Sequence, residues 1–107
     1  MKNLPPVLIK YFDAANTQDA QTCVGCFTTD AIVKDENTEH TGHKNIAAWS
    51  RTVNEKYKCK HIVQGCAHAD DGMHVTAQVS GTFPGSPITL TFRFVLQDDK
   101  ISMLEIV

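Results

Sequence analysis

The sequence predicts an α+β domain, with three amphipathic helices in the first half packed on one face of an antiparallel sheet built mainly from the second half. Two patterns carry this expectation. Up to Tyr57 apolar residues recur at three- and four-residue intervals, which gathers them on one helical face. From Lys58 onward the pattern becomes alternation, interrupted by short turn sequences. Strands joined by short turns must pair antiparallel, because a parallel crossover needs about a dozen residues. A chain of 107 residues fits one compact domain, 1–107, with a single core and one modest pocket.

The elements follow in order. Pro5 and Pro6 suit the first turn of a helix, where N–H groups have no intrahelical partner. Leu8, Tyr11, Phe12 and Ala15 then share one face, and Asn16-Thr17-Gln18 closes the helix. Asp19 is a suitable N-cap for a second helix, in which Ala20, Cys23, Val24 and Phe27 repeat the pattern and Thr28-Thr29-Asp30 ends it. AIVKD, 31–35, alternates as a short strand, with Ala31, Val33 and Asp35 on one face. ENTEHTG reads as a loop. Ile46, Trp49, Val53 and Tyr57 mark a third helix over 43–57.

The β half comprises CKHIVQGCAHA, the turn Asp70-Asp71-Gly72, MHVTAQVSGTF, the break PGSP, ITLTFRFVL, the turn Gln97-Asp98-Asp99, and KISMLEIV. In ITLTFRFVL the set Ile88, Leu90, Phe92, Phe94 and Leu96 faces the core. Thr89, Thr91, Arg93 and Val95 face outward. That second face is polar without being repulsive, and a homodimer through the sheet face is expected.

Composition narrows the function classes. A net charge of −2 with both signs scattered gives no electrostatic reason to bind nucleic acid or an anionic membrane. No apolar run approaches the ~20 residues of a membrane span. The opening MKNLPPVLIKYF lacks the core of a signal peptide, so a cytoplasmic location is expected. CVGC contains a C-x-x-C, but Cys59 and Cys66 do not supply the second pair of a zinc site. Cys23 and Cys26 also fall late in a helical segment, where a redox pair would open one. The four cysteines read as small apolar residues.

VKDENTEHTGH concentrates Asp35, Glu36, Glu39, His40 and His43. Their spacing does not align on one helix face as metal-binding H-E-x-x-H does, and neither metal nor cofactor is expected. Asp35 differs from its neighbours because it shares the inward face of Ala31 and Val33. An inward carboxylate is costly unless partnered, which makes it a candidate for function as well as for capping the strand end. Glu36, Glu39 and His43 read as solvated loop and helix-start residues.

The strings YFDAANTQD, CFTTDAIVKDE, TGHKNIAAW, VSGTFPGSP and KISMLEIV, in this order, resemble the SnoaL-like branch of the nuclear transport factor two-like superfamily, which includes polyketide cyclases and ketosteroid isomerases. The resemblance implies a cone-shaped, cystatin-like α+β fold. In it three N-terminal helices pack on a curved mixed, mainly antiparallel sheet and enclose an apolar pocket. It also implies Tyr11 as an oxyanion-stabilising phenol and Asp35 as a general base. His40, Trp49, Phe27 and Phe92 would contact the ligand, with His40 at the pocket mouth unless it is merely a solvated loop histidine.

The implied chemistry is cofactor-free isomerisation, cyclisation or dehydration of a small apolar carbonyl compound, or else ligand binding without turnover; a third reading is a dimeric interaction module whose sheet face docks a partner. The sequence departs from the steroid isomerases at the second oxyanion donor, where Phe92 or, with a gap moved, Arg93 stands. It also departs after the third-helix aromatic, where Trp49 is followed by Ser50 rather than tyrosine.

Overall fold

The computed structural model describes residues 4–70 and 72–107. Residues 1–3, and Asp71 of the expected turn, lie outside the described residues. Helix α1, Pro6–Asn16, starts on Pro5 and buries Leu8, Tyr11, Phe12, Ala14 and Ala15. The Thr17 N–H and hydroxyl both return to the Asp13 carbonyl, at 3.0 Å each, and Gln18 turns the chain at φ 58°. Asp19 caps α2, Ala20–Gly25. Its carboxylate accepts the Thr22 N–H at 3.1 Å and the Thr22 hydroxyl at 2.6 Å.

Helix α2 is shorter than the sequence pattern predicts. Phe27 is not its last apolar residue but the first of β1, Phe27–Asp35. Gly25 and the β-branched pair Thr28-Thr29 end helical propensity early, and Phe27 still reaches the core because a strand position can point the same way. The expected ENTEHTG loop is likewise corrected. Glu36 and Asn37 both take positive φ, 53° and 62°, the geometry of a two-residue hairpin turn. The turn returns the chain as β2, Thr38–Thr41, with Asp35 opposite Thr38 and Val33 opposite His40.

Helix α3, Gly42–Tyr57, follows directly and buries Ile46 and Ser50. The remaining strands are β3 Lys60–Ala69, β4 Gly72–Ser80, β5 Ile88–Gln97 and β6 Lys100–Ile106. They form with β1 and β2 a six-stranded sheet in the order β2-β1-β6-β5-β4-β3. All neighbours are antiparallel except β1 and β6, which run parallel. That pair is what makes the sheet mixed, since the last strand inserts between the first and the fifth.

Register shifts interrupt β1–β6, β3–β4 and β5–β6, and such irregularities bend and twist a sheet locally. The core lies between its inner face and the helices. Val33, Val75, Ala77, Phe92, Phe94, Ile101 and Leu104 meet Leu8, Phe12 and Ile46 there. Each fully buried large side chain contributes about 1.5–3 kcal/mol.

One close approach matters for the site. The loop after β4 crosses the C-terminal end of α3, where the Thr82 N–H donates to the Tyr57 carbonyl at 2.7 Å. A Cβ on Gly81 would stand 2.4 Å from that same carbonyl oxygen. Only glycine permits the loop to lie this close. The loop thereby carries Phe83 against Tyr57, their rings edge-on at 5.8 Å.

Candidate functional site

The helices and the inner face of the sheet leave a mainly apolar cavity of about 500 Å³ between them, lined among others by Tyr11, Asp35, Trp49, His61, Phe83 and Phe92. Each position has a local origin. Asp35 ends β1 with Ala31 and Val33, both fully buried, at the alternate positions behind it, so the strand period aims its carboxylate inward. Trp49 sits one turn after Ile46 on α3 and donates its Nε1–H to Asp35 Oδ2 at 3.0 Å. Tyr11 is 2 % exposed. Its ring is held edge-on by Phe12, Phe27 and Phe94 at centroid distances of 5.1, 5.9 and 5.6 Å.

Electrostatics follow from burial. Desolvation raises the Asp35 pKa above the usual carboxylate value, and the Glu36 charge adds to it. The Trp49 hydrogen bond, His40 and a backbone bond from Glu36 hold part of the rise back. Burial also raises the Tyr11 phenol well above its ordinary value, aided by nearby Cys23 and Asp35, so it remains a protonated donor. No buried side-chain oxygen or nitrogen lacks a partner among the described residues. The Tyr11 hydroxyl makes no hydrogen bond among the described residues and, since no buried oxygen there lacks a partner, keeps access to the cavity space.

Of the six residues singled out in the sequence, Tyr11, Asp35, Trp49 and Phe92 line this cavity. Phe27 does not: it is 2 % exposed in the core and supports the Tyr11 ring. His40 lines a separate, more polar recess on the far side of the Asp35–Trp49 wall, with its ring 6.1 Å from that of Trp49. Arg93 pairs with Glu105 at 3.1 Å, while Phe92 meets the cavity. His43 is not simply solvated; its Nε2 lies 2.9 Å from the Phe27 carbonyl oxygen and ties the start of α3 to β1. Glu36 reaches the cavity mouth and accepts the Tyr57 hydroxyl at 3.3 Å.

His61, Tyr57, Ser50 and two thiols also line the cavity and were not among the expected site residues. Of the thiols, Cys23 is pushed up to about 12, chiefly by burial, and Cys59 is raised for the same reason. Neither is poised as a thiolate nucleophile. None of the four cysteines is joined in a disulfide. No group of three or more His, Cys, Asp and Glu side chains converges among the described residues. No helix there is long and apolar enough to cross a membrane.

A six-stranded mixed sheet packed on three helices around an apolar cavity is the fold of the nuclear transport factor two-like class of α+β proteins. Within that class the chain belongs to the SnoaL-like domain family, whose sequence profile matches residues 8–103. It is similar to a candidate polyketide cyclase from Sinorhizobium meliloti, at 35 % identity over 98 % of this chain and 96 % of that one, with a TM-score of 0.93.

More distant structures share the fold. One is SalBIII, an epoxide hydrolase/cyclase-like enzyme in pyran ring formation in the polyether salinomycin. It is 19 % identical over 94 % of this chain and 85 % of its own, with a TM-score of 0.80. Another is a Catenulispora acidiphila protein with a ketosteroid isomerase-like fold, in complex with trimethylamine. It is 14 % identical over 98 % of this chain and 86 % of its own, with a TM-score of 0.85. No match is found among curated protein sequences.

Proposed function

We propose that this SnoaL-like protein removes a proton from the carbon next to a carbonyl group of a small, largely apolar substrate, with Asp35 as base and Tyr11 as hydrogen-bond donor. The observation carrying this reading is one apolar cavity walled by both a desolvated carboxylate and a protonated phenol that has no hydrogen-bond partner among the described residues. Desolvation makes Asp35 a stronger base than a carboxylate in water. The proton passes from the α-carbon to the Asp35 carboxylate, and the electron pair of the broken C–H bond moves onto the carbonyl oxygen. Tyr11 stabilises the resulting enolate oxygen by donating a hydrogen bond. Return of the proton to another carbon gives isomerisation; attack of the enolate carbon on a second carbonyl of the same molecule gives cyclisation, the C=O π pair becoming an alkoxide that takes the proton back from Asp35. The relationship to a candidate polyketide cyclase favours the second outcome.

Binding without turnover is the alternative. Phe92 lines the cavity and has no group to donate, and Arg93 pairs with Glu105, so whichever of the two stands at the second oxyanion position of the steroid isomerases, Tyr11 is the donor proposed for the enolate. The two readings separate in deuterium oxide with 2-tetralone, an apolar ketone with acidic α-hydrogens. Turnover predicts α-deuteration above the buffer rate, abolished by Asp35→Asn. Binding of the ketone without exchange supports the alternative. We further propose a homodimer through the outer sheet face, around Thr89, Thr91 and Val95; a monomeric mass by light scattering at micromolar concentration would reject it.

A further inference from the structure

His61, the second residue of β3, faces the cavity from a strand that β6, β5 and β4 separate from the strand of Asp35. Its setting fixes more than its position. The His61 backbone N–H donates to Asn16 Oδ1 at 2.6 Å, and Asn16 Nδ2 donates to the His61 carbonyl at 2.9 Å. A backbone N–H can only donate and a carbonyl can only accept, so these two bonds settle which end of the Asn16 amide is oxygen. The same Oδ1 lies 3.1 Å from His61 Nδ1. An amide oxygen cannot donate, so Nδ1 must carry the proton.

Neutral His61 is therefore the Nδ1–H tautomer, and Nε2 presents a lone pair. Burial lowers the imidazole pKa to about 4, which keeps the ring neutral in the physiological range. Nε2 makes no hydrogen bond to any described residue, yet no buried nitrogen lacks a partner. It is therefore open to the cavity or its mouth. Phe12 and Phe92 flank the ring at centroid distances of 5.9 and 5.7 Å and restrict its rotation.

We propose that His61 Nε2 is a preoriented hydrogen-bond acceptor for a hydroxyl group of the ligand, so that the cavity selects hydroxylated apolar compounds. Taken with the proton-abstraction reading, on which this extension rests, the substrate class is a hydroxy-carbonyl compound. Its carbonyl sits near Tyr11 and Asp35, and its hydroxyl lies at the His61 wall. Asn16 is a positioning residue: it touches no ligand and holds the tautomer that can accept.

The probes are 2-naphthol and 2-methylnaphthalene, close in shape and differing in the hydroxyl. The wild-type protein is expected to bind the naphthol about three- to tenfold more tightly, the effect of one neutral hydrogen bond. His61→Phe keeps an aromatic ring against Phe12 and Phe92 and is expected to erase that preference, whereas Asp35→Asn retains it. Nitrogen-15 spectra of the unaltered protein give a second readout that needs no variant. Nδ1 is expected to be protonated in the free protein, and the Nε2 resonance to move upfield with naphthol and not with methylnaphthalene.

Equal binding of both probes by the wild type overturns the proposal and leaves the proton-abstraction reading standing. A preference lost in Asp35→Asn but kept in His61→Phe also overturns it, by assigning the hydroxyl to the carboxylate. A protonated Nε2 in the free protein would do the same. Failure of both probes to bind removes the apolar cavity reading together with this one.

Discussion

The Asp35 wall and the His61 wall of the cavity experience the same desolvation and respond in opposite directions. Burial raises the carboxylate and lowers the imidazole, and both shifts favour the uncharged form. The partners differ. Trp49 donates to Asp35 and so supports the charged, basic carboxylate against its surroundings. Asn16 accepts from His61 and fixes which nitrogen carries the lone pair, while burial keeps the ring neutral. In the chemistry proposed here one wall takes a proton, and the other receives a hydrogen bond without taking the proton. Burial alone does not assign a role; the polarity of the hydrogen-bonding neighbour does.

The comparison can be broken most sharply at Asp35. Asp35→Asn is expected to lower 2-tetralone exchange by at least about a hundredfold, the scale of a lost general base; residual exchange near the wild-type rate would remove Asp35 from the chemistry. Tyr11→Phe comes next, with an expected loss of about a hundredfold and an unchanged melting temperature, since the edge-on ring contacts persist. A large fall in stability would mean that the phenol is structural.

Asn16→Ala tests the other wall. It strips His61 of its side-chain and backbone partners and is expected to cost about 1–3 kcal/mol, read by urea unfolding. A smaller effect arises from pH. The native His61 binds fewer protons than the unfolded chain between about 6.5 and about 4, so stability falls as pH drops through that window. His61→Phe should flatten that part of the curve. Asp35 has the opposite sign. Its raised native pKa means that stability is lost as pH rises above the unfolded value of about 4. Asp35→Asn should therefore stabilise the fold at neutral pH, and the gain should vanish in acid.

The two walls also differ in how readily the sequence discloses them. Asp35 was legible because a strand period acts over neighbouring positions, and Ala31 and Val33 aim it inward. The three helices and the four later strands were legible for the same reason, being local patterns bounded by turns. The β2 hairpin was missed because Glu36-Asn37 is not the Asn-Gly or Asp-Gly pair that announces a two-residue turn. It becomes a turn through positive φ at two ordinary residues.

Phe27 fits the spacing of a helix, which is why the period places it there; Gly25, where the helix ends in the structure, interrupts no apolar position of that period. His61 carried no signal beyond its place on a strand. Its tautomer depends on Asn16, far away in the chain and brought near only when α1 packs beside β3. A search for inward-facing histidines on strands would have raised it as a candidate, although nothing local could have supplied its partner.

The indole that braces Asp35 has another use. Trp49 is the only tryptophan in the chain, and it lines the cavity while bonding the carboxylate. Intrinsic fluorescence is therefore a single-site signal with no background from other indoles. Its emission should respond both to a ligand entering the cavity and to protonation of Asp35, so the protein carries its own optical gauge for the chemistry proposed for it.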